Sequence, residues 1–241
     1  MKNKKLLSDI KEYLKYYENQ VLEDWYELIR HISVSETGEG IETCCDWIQK
    51  KMEEIGIQVT KYSVKPAPVL VGRFGNDPEK KTVLIYAHYD VKPAGERKLW
   101  HSDPFVPTVR DGKVYARGSA DNKSPLMAHL KALEYFVRKK MEVPVNVIFV
   151  FEGDEECGSR GLEEFLAEHR TELAADLVFF SDGPKDPSGL PIIALGAKGD
   201  LSVHITVETM NRNVHARYAP VLPSAAWQLV EILGKCKSKD K

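Results

Sequence analysis

Residues 81–90, KTVLIYAHYD, constrain the fold more than any other stretch. Val83, Leu84 and Ile85 form an apolar, β-rich run of the kind that makes a buried strand. The run empties into His88 and, two residues on, Asp90. A strand of this kind delivers both side chains to the carboxyl edge of a sheet, where open α/β sheets hold their ligands. His88 reads as a metal ligand and Asp90 as the partner that orients it.

The pattern repeats along the chain. KVYARGSADNKSP (113–125) reads as a short strand and a turn carrying Asp121. VPVNVIFVFEGDEECGS (143–159) is a strand emptying into Glu155 and Glu156, and DLVFFSDGP (176–184) one that ends on Asp182. Taken singly, a strand-end His reads as hydrogen-bonded structure, and an acidic pair as solvated or helix N-terminal charge. Repetition argues otherwise, because carboxylates gathered on one sheet edge repel one another unless a cation neutralises them. A His with several carboxylates suits zinc or a related divalent ion. More carboxylates than one ion needs point to two ions sharing a bridging Asp.

Helical spacing of apolar residues predicts helices over 4–31, over 39–55 with a stop at Gly56, over 123–139, and from 161 onward. Residues 57–64 and 68–75 alternate as strands. Residues 91–112 form a long, turn-rich connection. Strands alternating with helices imply an α/β fold with a mostly parallel, mixed sheet flanked by helices. Near residue 199 the character changes. Residues 201–209 alternate like an antiparallel strand, and 224–233 read as a helix with Ser224 as its N-cap. Two domains are expected, 1–198 and 199–241, the second too short to bury a core alone.

Hydrophobic residues make up 43% of the chain and charged residues 29%, as in globular proteins. A net charge of -2 gives no electrostatic reason for a nucleic-acid or membrane partner. The lysine-led N-terminus lacks an apolar signal core, and Cys44, Cys45, Cys157 and Cys236 show no disulfide framework. Both features imply a cytoplasmic protein, with Cys44 and Cys45 as buried thiols on a helix.

Five motifs in order carry a family resemblance: HYDVKPA (88–94), WHSDPFVP (100–107), DGKVYARGSADNK (111–123), EGDEECGSRGLEEFL (152–166) and FSDGP (180–184). Together they resemble the zinc metallopeptidase family of carnosinase, cytosolic dipeptidase, carboxypeptidase G, aminoacylase and succinyl-diaminopimelate desuccinylase. WHSDPF is most similar to the dipeptidase branch. The resemblance implies a zinc-exopeptidase-like catalytic domain followed by the start of a smaller α+β lid. It implies two divalent ions, zinc by preference with manganese or cobalt as alternatives. His88 and Asp182 would serve one ion, Glu156 the other, and Asp121 both. Asp90 would orient His88, Glu155 would be the general base, and His215 in NRNVHARYAP would be the lid's oxyanion donor. The substrate would be a dipeptide or short peptide, and the full-length form a homodimer through the lid. N-acyl amino acid deacylation and a non-catalytic binding role are the alternatives; WHSDPF argues against the first and Glu155 against the second.

Departures from the family pattern are Ser124 in place of a usual Gly, Cys157 after the Glu pair, and the end of the chain. The resemblance implies a longer protein whose return segment supplies a final His beside Glu156. The 241 residues therefore read as its N-terminal part, with weak or partial metal binding and little activity expected. His101 and His204 match no motif; His129 and His169 read as helix-surface residues, and His31 as the end of the first helix.

Overall fold

The computed structural model describes residues 2–183, 186, 188–190, 192–196, 198–199 and 201–237. The last residue of FSDGP, parts of the stretch before the expected 198/199 boundary and the final basic residues lie outside the described residues. The chain divides into two compact units, Met1–Pro184 and Lys185–Lys241.

The first unit opens with α1 (Lys2–Arg30) and α2 (Ile41–Ile55). Along α2 the buried residues are Ile41, Cys44, Cys45, Ile48, Met52 and Ile55, one apolar stripe at helical spacing. The helix ends at Gly56, as its sequence predicts. Strands β1 (Gln58–Tyr62), β2 (Val69–Phe74) and β3 (Thr82–His88) follow. After a long connection come β4 (Thr108–Arg110), β5 (Lys113–Tyr115) and α3 (Lys123–Arg138). The unit closes with β6 (Asn146–Glu152), α4 (Leu162–Glu168) and β7 (Leu177–Phe180).

Five strands form one mixed sheet in the order β1-β2-β6-β3-β7. β3 runs parallel to both β6 and β7, while β2 runs antiparallel to β1 and β6. β6 is buried on both faces, which explains its unbroken apolar sequence. Val147, Phe149 and Phe151 pack with α2 and α3, and Ile148 and Val150 pack on the other face with Phe165 of α4. A helical layer thus covers each face, with the core on both sides of β6.

The short strand expected from residue 113 is the second half of a hairpin whose first half, β4, the sequence reading leaves as loop. β4 and β5 pair with Arg110 opposite Lys113, joined by Asp111 and Gly112, both at positive φ (49° and 69°). That is the Asp-Gly two-residue turn whose twist suits a hairpin. Ser124 sits in α3 without a positive φ, so the usual Gly is not required there.

In the second unit α5 spans Ala225–Cys236, and Ser224 Oγ accepts from the Trp227 N–H at 3.5 Å. Residues 201–209 are not a strand, contrary to their alternation. A strand requires a hydrogen-bonded neighbour as well as a pattern, and among the described residues none pairs with this segment. No helix among the described residues is long and apolar enough to cross a membrane.

Candidate metal site

The carboxyl ends of three parallel strands build the site. His88 closes β3 directly opposite Glu152, the last residue of β6. On the other side of β3, pairing with β7 stops at Tyr86 and Phe180, two residues short of Asp182. Asp121 arrives from the turn that precedes α3.

His88 and Asp90 are fully buried. His88 Nδ1 lies 3.2 Å from an Asp90 carboxylate oxygen and 3.1 Å from the Asp90 carbonyl. That arrangement leaves Nε2 facing the edge. Nε2 is 3.0 Å from Asp121 Oδ1, 3.3 Å from Asp182 Oδ2 and 3.7 Å from Glu155 Oε2. Asp90 does more than hold the imidazole. Its two oxygens accept the backbone N–H groups of Glu155 (3.2 Å) and Glu156 (3.1 Å). One carboxylate therefore fixes both the end of β3 and the short 3-10 turn Glu155–Cys157 that carries the acidic pair.

Electrostatics follow from this crowding. Burial alone would lower the pKa of His88, but the Asp90 hydrogen bond and the charges of Asp90, Glu155 and Asp182 outweigh it and raise the value to about 9. Burial would raise Asp90, yet the His88 and Ser35 hydrogen bonds, the His88 charge and the Glu156 N–H hold it below the usual range. Glu155 is raised, by burial first and then by Asp182, Glu156 and Asp90, against the opposing pull of His88.

One donor atom each from His88, Asp121 and Asp182 lies within 4.8 Å of the others, the only such His, Cys or carboxylate group among the described residues. An imidazole nitrogen with two carboxylate oxygens is a fitting donor set for a first-row divalent ion. Glu156 does not join the group: its Oε2 lies 3.5 Å from Lys92 Nζ, which also donates to the Glu156 carbonyl. Cys157 Sγ is 3.5 Å from Ser35 Oγ and is likewise outside the group. His215 belongs to the second unit, where it is exposed and its Nδ1 accepts from the Arg217 N–H at 3.2 Å.

Peptidase family M20/M25/M40 matches residues 84–237, which hold every residue of the site. The chain belongs to that family. It is 40% identical over 172 residues to a Cys-Gly metallodipeptidase of Schizosaccharomyces pombe, covering 69% of this chain and 36% of that protein. It is 30% identical over 239 residues to a cysteinylglycine-S-conjugate dipeptidase of Corynebacterium striatum, covering 97% of this chain and 52% of that protein. An M20 family metallo-carboxypeptidase from Sulfolobus solfataricus superposes with a TM-score of 0.82 at 32% identity, over 91% of this chain and 50% of the other. The chain thus spans about half the length, or less, of the relatives it matches.

Several buried or half-buried polar groups in this unit had no role assigned from sequence. Glu152 accepts from the Tyr86 hydroxyl and from Ser159 Oγ (2.8 Å), and burial raises its pKa despite both bonds. Asp154 takes a fork from Arg160, Nε at 2.9 Å and Nη2 at 2.6 Å, and accepts the Arg160 N–H at 3.0 Å, which closes the turn behind the Glu pair. Lys123, fully enclosed, donates to the Leu28 and His31 carbonyls at 3.1 and 2.6 Å and ties the end of α1 to the start of α3. His129 is not a helix-surface residue, since its Nε2 is 2.7 Å from Ser181 Oγ and its ring meets Phe179 edge-on at 5.4 Å. His169 follows α4 and packs on Tyr62 and Phe165 at 4.6 and 4.4 Å.

Proposed function

We propose that this chain carries the metal-binding part of a dipeptidase active site that hydrolyses a peptide bond in dipeptides or short peptides. The observation that carries the reading is the convergence of His88, Asp121 and Asp182 beside Glu155. The activities of the two dipeptidase relatives point to a dipeptide as the substrate class. Two divalent ions are proposed, zinc first and manganese or cobalt as alternatives. The tighter one uses His88, Asp121 and Asp182. The weaker one uses Asp121 and Glu156, because Glu156 must first leave Lys92.

A divalent ion there would supply Lewis-acid charge and make water acidic enough to attack an amide near neutral pH. The remaining work belongs to side chains. Asp90 holds Nδ1 of His88, so that Nε2 is the ligating nitrogen, and through two backbone N–H groups it sets the position of Glu155. Glu155 takes a proton from the attacking water and passes it to the leaving amine, a role its raised pKa suits. His215 is the proposed oxyanion donor: with Nδ1 accepting from Arg217, the proton sits on Nε2. The whole protein is proposed to pair as a homodimer through the region that contains residues 199–241.

The test is metal analysis together with hydrolysis of Cys-Gly, the dipeptide named for the first of those relatives. Glu155→Gln is expected to keep the tighter ion and to lose at least about 100-fold in turnover, the general-base contribution. Turnover that survives Glu155→Gln at the wild-type level sinks the assignment.

A further inference from the structure

Asp182 reaches the site from the least supported strand of the sheet. β7 pairs only with β3, at the sheet's edge, and its four side chains are 49–60% exposed. Its backbone pairing ends at Phe180, so nothing in the ladder holds Ser181 or Asp182. Two polar contacts from the α3 segment do so instead. His129 Nε2 and Ser181 Oγ are 2.7 Å apart, and Asn122 Nδ2 donates to the Ser181 carbonyl at 3.3 Å. Phe179 and Ser181, two residues apart, lie on one face of the strand, and His129 touches both. Asn122 is buried next to Asp121, one of the proposed ligands.

We propose that the His129–Ser181 hydrogen bond is a positioning device that docks the end of β7 onto α3 and so sets Asp182 against His88 and Asp121. The inference rests on the metal-site reading above. α3 then controls two of three ligands: its leading turn carries Asp121, and its second turn fixes the strand that carries Asp182. Burial holds the His129 pKa below its usual value, and a hydroxyl, which can donate or accept, pairs with Nε2 in either tautomer. Phe180 stacked on Tyr86 at 4.9 Å fixes how far β7 slides along β3, and the His129–Ser181 pair fixes how close its end lies to α3.

The experiment titrates the metal-free full chain with cobalt(II), following calorimetry and the d–d absorption bands, with the thermal midpoint of each metal-free form as a fold control. His129→Ala and Ser181→Ala are each expected to weaken cobalt affinity by about 10–100-fold, the range for losing an outer partner of a metal ligand, and to alter the band pattern. His129→Gln, which returns a polar group near the Nε2 position, is expected to restore most of the affinity and the wild-type bands. If His129→Ala does not fold, Ser181→Ala, which removes only the hydroxyl, carries the test. Wild-type affinity and bands in Ser181→Ala overturn the positioning role while leaving the metal site standing. A wild-type chain that takes no cobalt, or takes it equally well after His88→Ala, overturns the metal-site reading and this inference with it.

Discussion

Gly153→Ala is a one-carbon change at the junction of core and site. Gly153 follows Glu152 at the end of β6 and precedes Asp154 and the acidic pair. A Cβ built there lies 2.5 Å from Cζ and the hydroxyl oxygen of Tyr89 and 2.7 Å from its Cε2. Tyr89 cannot step aside freely: its ring is fully buried, its hydroxyl donates to the Pro68 carbonyl at 2.7 Å, and its N–H donates to the Glu152 carbonyl at 2.8 Å. Carbon atoms pack best at about 3.5–4.0 Å, so ring and turn must part by roughly 1 Å. Overpacking of this kind costs about 1–3 kcal/mol. A ring that retreats also strains or loses its hydroxyl bond, adding about 1 kcal/mol. The sum, about 2–4 kcal/mol, corresponds to a Tm drop of roughly 4–16 °C for a chain of this size. If the turn moves instead of the ring, Glu155 shifts with it, and a 1 Å misplacement costs about 100-fold in turnover. Urea unfolding followed by circular dichroism measures the stability change, and repeating it in a Tyr89→Leu background isolates the clash. Gly153→Ala is expected to be markedly cheaper there. A Gly153→Ala chain within about 0.5 kcal/mol of wild type, or an equal cost in both backgrounds, refutes the steric argument.

Asp24 of α1 accepts from Lys131 and lies 3.2 Å from Lys51; burial would raise its pKa, but the Lys131 hydrogen bond and the charges of Lys131 and Lys51 hold it below the ordinary 3.8. A depressed folded pKa contributes stability that is present above pH 3.8 and is lost as pH falls through the folded value, so Asp24→Asn is expected to lower stability near neutral pH by about 1 kcal/mol and flatten the acid limb of the stability curve. Zinc at about 100 times its dissociation constant is expected to stabilise the chain by about 2.7 kcal/mol, raising Tm by roughly 5–11 °C, with a chelator reversing the shift; a melt indifferent to zinc counts against the site.

What could be read from sequence depended on whether a residue's role is local. His88, Glu155 and Asp182 each follow an apolar run, and a strand that leaves the core must end at a sheet edge, so their gathering was legible; the strand before Asp121 lies instead in the separate β4–β5 hairpin, and the turn before α3 brings Asp121 in. Glu156 was not, because its orientation depends on Lys92, which lies on a different loop. His129 looked like helix surface only because β7 could not yet be set against α3. Its spacing of three from Leu126 and four from Leu133 placed it on the inner stripe all along. The Asp-Gly turn of the β4–β5 hairpin was also present as a signal, and the β5 flank reads as a short strand, but the three residues of β4 were too few to stand out from the loop before them. Residues 201–209 show the opposite error. Alternation is a property of the segment, whereas strand formation is a property of a pair.

The site also shows how a fold can hold groups that repel one another. Asp121, Glu155 and Asp182 all face one imidazole nitrogen, an arrangement their own charges oppose. Each is held by a different means. The β3–β6 register places His88 opposite Glu152, the leading turn of α3 brings Asp121, β7 brings Asp182, and Asp90 fastens the Glu155 turn through backbone N–H groups. The supports are shared as well as distributed, since Asp90 holds both the His88 ring and the Glu155 turn. A cation among them, a proton on His88 or the proposed metal ion, would offset the gathered charge, so binding of that ion at Nε2 is expected to release the proton and to strengthen as pH rises.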